Sequence, residues 1–242
     1  MKCKSIILFL LLMILLPEFV QAQRGRRTAY RKRGHGYAKI MYYGLGVKYG
    51  IQYMDYNMRY EKDNYTFKPG FSHYFSVSGE YFIEYNLNLR ADIQYSHRKV
   101  FLDHEYGKDV DPESNLLPEK VDWTIGYITI PIRANYNFLY TQHLKMYVAG
   151  GIAPEFKTHD MESVTYLSGR TEDHFNLLYS RRFNKVNLGG SLSAGFKYNP
   201  SAHFGIELEG GLMQYVGAVN ADYSKGPPRA YYIEGGVFYD FQ

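Results

Sequence analysis

Cysteine is nearly absent from this sequence. Its single copy, Cys3, lies in the first few residues, ahead of an apolar run. A chain without cysteine beyond that point has no disulfide framework, no thiol nucleophile and no cysteine-ligated metal. The position of Cys3 before the run also excludes an acylated lipoprotein cysteine. Long hydrophobic stretches are scarce as well. The longest is Ile6 to Leu16, eleven residues followed by Pro17, whereas a spanning helix needs about 20. A helical membrane protein is thereby excluded. Glycine-rich phosphate cradles and zinc-protease helix motifs are missing too.

What is present begins with a targeting segment. Lys2 and Lys4 precede the apolar run, and Val20-Gln21-Ala22 offers a small-residue cleavage site. Residues 1–22 are therefore expected to be a signal peptide. Residues 23–40 form a basic arm in which Arg24, Arg26, Arg27, Arg31, Lys32, Arg33 and Lys39 crowd around three glycines. The arm has no apolar periodicity and reads as disordered, either a solvated linker or a contact for an acidic partner. Nucleic acid is not an expected partner of a secreted chain.

The remainder, residues 41–242, alternates. In Trp123 to Phe138 the even positions from Ile128 onward are Ile128, Ile130, Ile132, Ala134, Tyr136 and Phe138. The odd positions are Tyr127, Thr129, Pro131, Arg133, Asn135 and Asn137. A strand sends alternate side chains to opposite faces, so one face is apolar and the other carries a charge. Seven more segments repeat the pattern, near 43–53, 71–83, 87–101, 144–156, 186–198, 204–215 and 231–241. Connections near 84–86, 139–143 and 199–203 are short, and those near 58–69, 102–120, 157–185 and 217–229 are long. Aromatics abound, with 26 tyrosines and 15 phenylalanines. Short turns on one side, long loops on the other and aromatic girdles belong to outer-membrane barrels. The expected fold is all-β: a closed antiparallel transmembrane β-barrel of eight strands in the outer membrane, with both termini periplasmic.

The lumen is where polar chemistry should sit. Inward positions include Lys48, Glu80, Arg90, Asp92, Arg133, Lys145, Glu155, Lys197, Glu207, Glu209 and Glu234. The short turn at 84–86 sets Glu80 opposite Arg90, and matching strand ends brings Asp92 near Arg133 and Lys48 near Glu234. Lys48, Glu80, Arg90, Asp92, Arg133 and Glu234 are thus candidates for structural ion pairs, since an unpaired buried charge is costly. Inward Pro131 cannot donate to the ladder and predicts a bulge or a broken bond, with Gly151 or Ala153 across from it. The long loops hold Asp103-His104-Glu105, His159-Asp160 and Asp173-His174. Such pairs could activate a water or hold a metal at the rim, but they are also ordinary residues of solvated loops. No catalytic residue, cofactor or metal is expected.

Gly44-Leu45-Gly46-Val47-Lys48, Tyr127-Ile128-Thr129-Ile130-Pro131-Ile132 and Val148-Ala149-Gly150-Gly151 together resemble the PorT-like family of Gram-negative outer-membrane β-barrel proteins, over roughly residues 40–242. The resemblance implies a non-enzymatic barrel acting as a structural or interaction component. Its expected partners are outer-membrane lipid and a periplasmic or outer-membrane protein met through the arm or loops. An accessory role in the type IX secretion system is the alternative it carries. Arg133 and Ala134 stand where the secretion member has a more aliphatic run. A rim-active hydrolase is the third reading.

Overall fold

The computed structural model describes residues 43–55, 65–84, 86–104, 111, 116–141, 143–176, 183–201, 203–217 and 226–241. The expected signal peptide, residues 1–22, and the expected basic arm, residues 23–40, lie outside them. Eleven strands follow one another: β1 (Tyr43–Asp55), β2 (Tyr65–Pro69), β3 (Phe71–Glu84), β4 (Leu87–His104), β5 (Pro118–Thr129), β6 (Ile132–Tyr140), β7 (Leu144–Tyr166), β8 (Thr171–Asn176), β9 (Val186–Tyr198), β10 (Phe204–Tyr215) and β11 (Arg229–Phe241).

Two pairs of these strands are halves of one traversal. β2 continues β3 along the same neighbour, β4, with Gly70 between them donating its N–H to the Lys99 carbonyl at 3.2 Å. β5 and β6 are interrupted only at Ile130-Pro131, and β8 is a return strand paired with the far end of β7. Eight traversals remain, all antiparallel, in the ring β1–β3–β4–β5/β6–β7–β9–β10–β11. The ring closes where β1 pairs with β11 along its whole length, from Tyr43↔Phe241 to Asp55↔Arg229. Closure leaves the ring of eight traversals without an open edge, the condition for spanning lipid with strands.

The period-two pattern reads inside out. In β1, Leu45, Val47, Tyr49 and Ile51 are exposed while Gly44, Gly46, Lys48, Gly50 and Gln52 are buried. The same holds around the ring, with Ile93, Ile132, Ile152, Leu192, Leu208 and Ile233 outward. Aromatics gather at the two margins of this apolar band. Tyr43, Tyr198, Phe204, Tyr239 and Phe241 lie toward the short turns, and Phe71, Tyr95, Phe156 and Tyr231 toward the long connections.

At Pro131 the ladder opens without slipping. Thr129↔Glu155 and Ile132↔Ile152 keep β5 and β6 in step along β7, which sets Ala153 across from Pro131. The Pro131 carbonyl still accepts from Asp92 N–H at 3.0 Å, and Ile130 N–H donates to Pro154 at 2.8 Å. Of the two outcomes anticipated for this proline, a missing donor is found and a bulge is not. The close approach instead falls on Gly151, where a Cβ would collide with the Ile132 carbonyl oxygen.

The segment 157–185, expected to be a loop, is largely sheet. β7 runs on to Tyr166 and returns as β8 through a turn in which Gly169 takes a positive φ of 81°. Gly169 N–H donates to Tyr166 O at 2.8 Å and Tyr166 N–H to Arg170 O at 2.9 Å, closing the hairpin. The loops expected at 58–69 and 102–120 likewise give up their ends to β2, β4 and β5. Solvent-exposed alternation is weaker than the lipid-facing kind, so the pattern did not reveal these extensions. Together β2, β4, β5, β7 and β8 make a wall that extends past the ends of β1, β9, β10 and β11 at the long-connection end. At its base buried apolar side chains form a cluster: Val100, Val121, Trp123, Ile125, Phe183 and Tyr215. The Trp123 and Phe183 rings meet edge-on at 5.9 Å.

Candidate functional site in the barrel lumen

Below that cluster the interior is a stack of ion pairs. Every inward charge belongs to a strand whose opposite face is lipid-directed and apolar, so alternation itself carries these side chains out of water. At the loop end Arg98 of β4 grips Glu155 of β7 through both nitrogens, Nη1 to Oε1 at 2.8 Å and Nη2 to Oε2. Glu155 also accepts from Tyr215 at 2.7 Å, Thr129 at 3.1 Å and Asn187 at 3.0 Å. Bidentate geometry and four donors are what a buried carboxylate requires.

The central layer joins strands from all sides of the barrel. Lys48 Nζ reaches Glu234 at 2.6 Å and Asp92 at 3.3 Å. Arg133 donates to Asp92, to Glu209 and, at 3.0 Å, to the Tyr232 hydroxyl. Tyr74 donates to Glu234 at 2.8 Å. One layer further, Arg90 donates to three carboxylates. Its Nε lies 2.8 Å from Glu80, Nη1 and Nη2 lie 2.7 and 2.6 Å from Glu207, and Nη1 lies 2.8 Å from Glu209. Near the short turns Lys197 donates to Asp240 at 2.8 Å and to Glu80 at 3.3 Å, and Lys145 lies 3.7 Å from Asp240.

The candidate pairs can be placed against this map. Glu80 and Arg90 are direct ladder partners and hydrogen-bonded. Asp92 meets Arg133, and Lys48 meets Glu234. Sequence reasoning missed the bonds that cross the lumen. Arg90 stands directly opposite Arg133 on the ladder, an arrangement of like charges that repels. Glu209, from the far side of the barrel, accepts from both. It also missed the Arg98–Glu155 grip, although both residues fall on inward positions, and the role of Asp240.

Glu207, Glu209 and Glu234 bring carboxylate oxygens within 4.8 Å of one another, a group that could hold a cation. The position is already served by protein cations, since Arg90, Arg133 and Lys48 hydrogen-bond these three carboxylates. Among the described residues seven buried Lys and Arg stand against eight buried Asp and Glu, so the interior is close to neutral. Such an arrangement can fill and stiffen a barrel, and its carboxylates are held by cations.

The rim carboxylate–histidine pairs do not converge. Asp160 is buried and bonds Lys157 at 3.2 Å, whereas His159 turns outward. Asp103 bonds Lys68 at 2.5 Å, and His174 lies 3.8 Å from Glu172 rather than against Asp173. Glu105 and the His104 side chain lie outside the described residues.

The family whose description is outer membrane protein beta-barrel domain matches residues 21–214. The chain belongs to this outer-membrane β-barrel family. Several solved barrels are similar to it in fold. The attachment invasion locus protein Ail of Yersinia pestis, in complex with the heparin analogue sucrose octasulfate, is 12% identical with a TM-score of 0.44, over 83% of this chain and 99% of Ail. OprG of Pseudomonas aeruginosa is 10% identical with a TM-score of 0.47, over 84% of this chain and 97% of OprG. Neisserial surface protein A is 15% identical with a TM-score of 0.44, over 82% and 97%. No curated protein matches the chain. As a member of this family the protein is a β-barrel of the cell outer membrane.

Proposed function

We propose that the protein is a closed, non-enzymatic barrel of PorT-like type that serves as a structural and interaction component rather than as a pore. The observation that carries this reading is the lumen. Barrels of about eight strands have interiors just wide enough for side chains to fill. Here ion pairs from Arg98–Glu155 to Lys197–Asp240 fill the interior, nearly neutral in sum, and the buried Trp123–Phe183 cluster lies at the long-connection end. In this reading residues 1–22 are removed on export and the short-turn end faces the periplasm. The wall of β2, β4, β5, β7 and β8 and the basic arm are then the contact surfaces. An accessory place in the type IX secretion system rests on the strand motifs alone and is the narrower form of the same proposal.

Conductance across a planar bilayer tests it. Purified protein is expected to give no stable porin-sized steps, and large persistent steps would overturn the reading.

A further inference from the structure

Three histidines fall in one outward-facing row near the loop end of the barrel. His73 of β3 is the ladder partner of His97 of β4, His97 is the partner of Gly126 of β5, and Gly126 is the partner of His159 of β7. Two local irregularities bring His97 and His159 together across the strand that separates them. The first is Gly126 itself, since a Cβ there would run into the His159 ring. The second is a bulge in β7. Its register against β5 passes from Tyr127↔Lys157 to Gly126↔His159 and skips Thr158. Simple alternation from buried Lys157 would turn His159 into the lumen. With the extra residue, Lys157 and Asp160 are both buried and His159 points outward. Bulges re-aim side chains in this way. The two imidazoles end with centroids 5.2 Å apart and planes at 69°.

Each ring already commits one nitrogen to a hydroxyl. His97 Nε2 is 2.7 Å from the Tyr95 hydroxyl, and His159 Nδ1 is 3.0 Å from Thr158 Oγ1. His73 repeats the pattern, with Nδ1 2.7 Å from the Tyr49 hydroxyl. Among the described residues, His97 Nδ1 and His159 Nε2 make no hydrogen bond. An imidazole that fixes one nitrogen on an oxygen and presents the other as a lone pair is set up as a metal ligand. Two such rings, each with a nitrogen about 2.0–2.1 Å from a zinc-type ion and at a tetrahedral angle, place their centres about 5 Å apart.

We propose that His97 and His159 form a two-imidazole site for a first-row divalent cation of the zinc, copper or nickel class, while His73 stays with Tyr49. Imidazole suits these ions, whereas calcium and magnesium prefer oxygen donors. Water or a head-group oxygen completes the coordination. The site faces away from the lumen and is independent of the function proposed above. It also departs from the sequence expectation of no metal. The row arises from register across four strands and from one bulge, neither of which residue spacing reveals.

Calorimetric titration of the full chain in detergent micelles with zinc chloride tests the site, alongside Cu(II) electron paramagnetic resonance. Loss of an outer hydrogen-bond partner alone typically weakens a metal site about 10–100-fold, so His97→Ala and His159→Ala are each expected to weaken binding by at least about tenfold. Gly126→Ala should weaken it with both ligands still present, because the new methyl group enters the notch. His143→Ala should leave it unchanged, since His143 lies at the short-turn end against Asn199 O at 3.0 Å. The Cu(II) spectrum should show two imidazole nitrogens in the native protein and fewer in either variant. Affinities within twofold of native for both His97→Ala and His159→Ala would overturn the proposal. A loss no larger than that of His143→Ala would do the same. Should the alanine variants fail to fold, zinc protection of His97 and His159 from diethylpyrocarbonate in the native protein decides the matter, and absence of protection overturns the site.

Discussion

Arg90 and Glu207 face each other across the lumen from strands β4 and β10 and share two hydrogen bonds, at 2.7 and 2.6 Å. Arg90 is the only cation that hydrogen-bonds Glu207 among the described residues, whereas Glu80 also holds Lys197 and Glu209 also holds Arg133. Arg90→Ala therefore strands Glu207 in particular. Breaking a buried pair by removing one partner costs about 3–5 kcal/mol, while an exposed pair contributes about 0–1 kcal/mol. Urea unfolding in lipid vesicles should show Arg90→Ala strongly destabilised. Lys68→Ala, which breaks the exposed bond to Asp103, should stay near the native protein. Adding Glu207→Ala to Arg90→Ala should restore part of the loss, and more of it than adding Glu80→Ala. Equal behaviour of Arg90→Ala and Lys68→Ala would mean that the lumen is wet at this level.

Adjacent glycines on β7 offer a second measurement. A Cβ at Gly151 meets the Ile132 backbone, which cannot swing aside, whereas a Cβ at Gly150 finds its nearest neighbour at 3.8 Å. Overpacking against fixed atoms costs about 1–3 kcal/mol. Gly151→Ala should lower the unfolding midpoint by that margin, and Gly150→Ala should change it little. Heat-modified gel mobility checks that both variants close. Indistinguishable midpoints would place Ile132 and β7 further apart than the register implies.

Orientation is open to a labelling test. A tag inserted at Ser168–Gly169, in the β7–β8 turn, should be labelled on intact cells. One inserted at Pro200–Ser201, in the short turn between β9 and β10, should be labelled only after permeabilisation. Both positions are exposed in the structure. The reverse pattern would invert the barrel.

Period two made the lipid-facing strands legible, because a single slip would put Leu45 or Ile132 in the lumen and Lys48 or Arg133 in lipid. Short turns then fixed neighbours, which is why Glu80 and Arg90 could be paired from spacing alone. Cross-lumen contacts had no such guide. Glu209 reaches Arg133 through the closed interior, and its place depends on barrel radius and stagger as well as on register. The His97–His159 contact was hidden for a related reason. Alternation predicts the wrong face for His159 unless the bulge at Thr158 is known.

The sequence separation of the ion pairs constrains how the barrel can be assembled. Glu80 and Arg90 are 10 residues apart and can meet within one hairpin, but Arg133 and Glu209 are 76 apart, and Lys48 and Glu234 are 186 apart. A chain entering the bilayer strand by strand would leave Lys48 with Asp92 of β4 as its partner until Glu234 arrived on the final strand. Charges alone in the hydrocarbon are expensive. Insertion coupled to ring closure keeps that exposure of charge shortest. The meeting of β1 with β11 is then both the sealing of the seam and the moment at which Lys48 acquires its strongest partner.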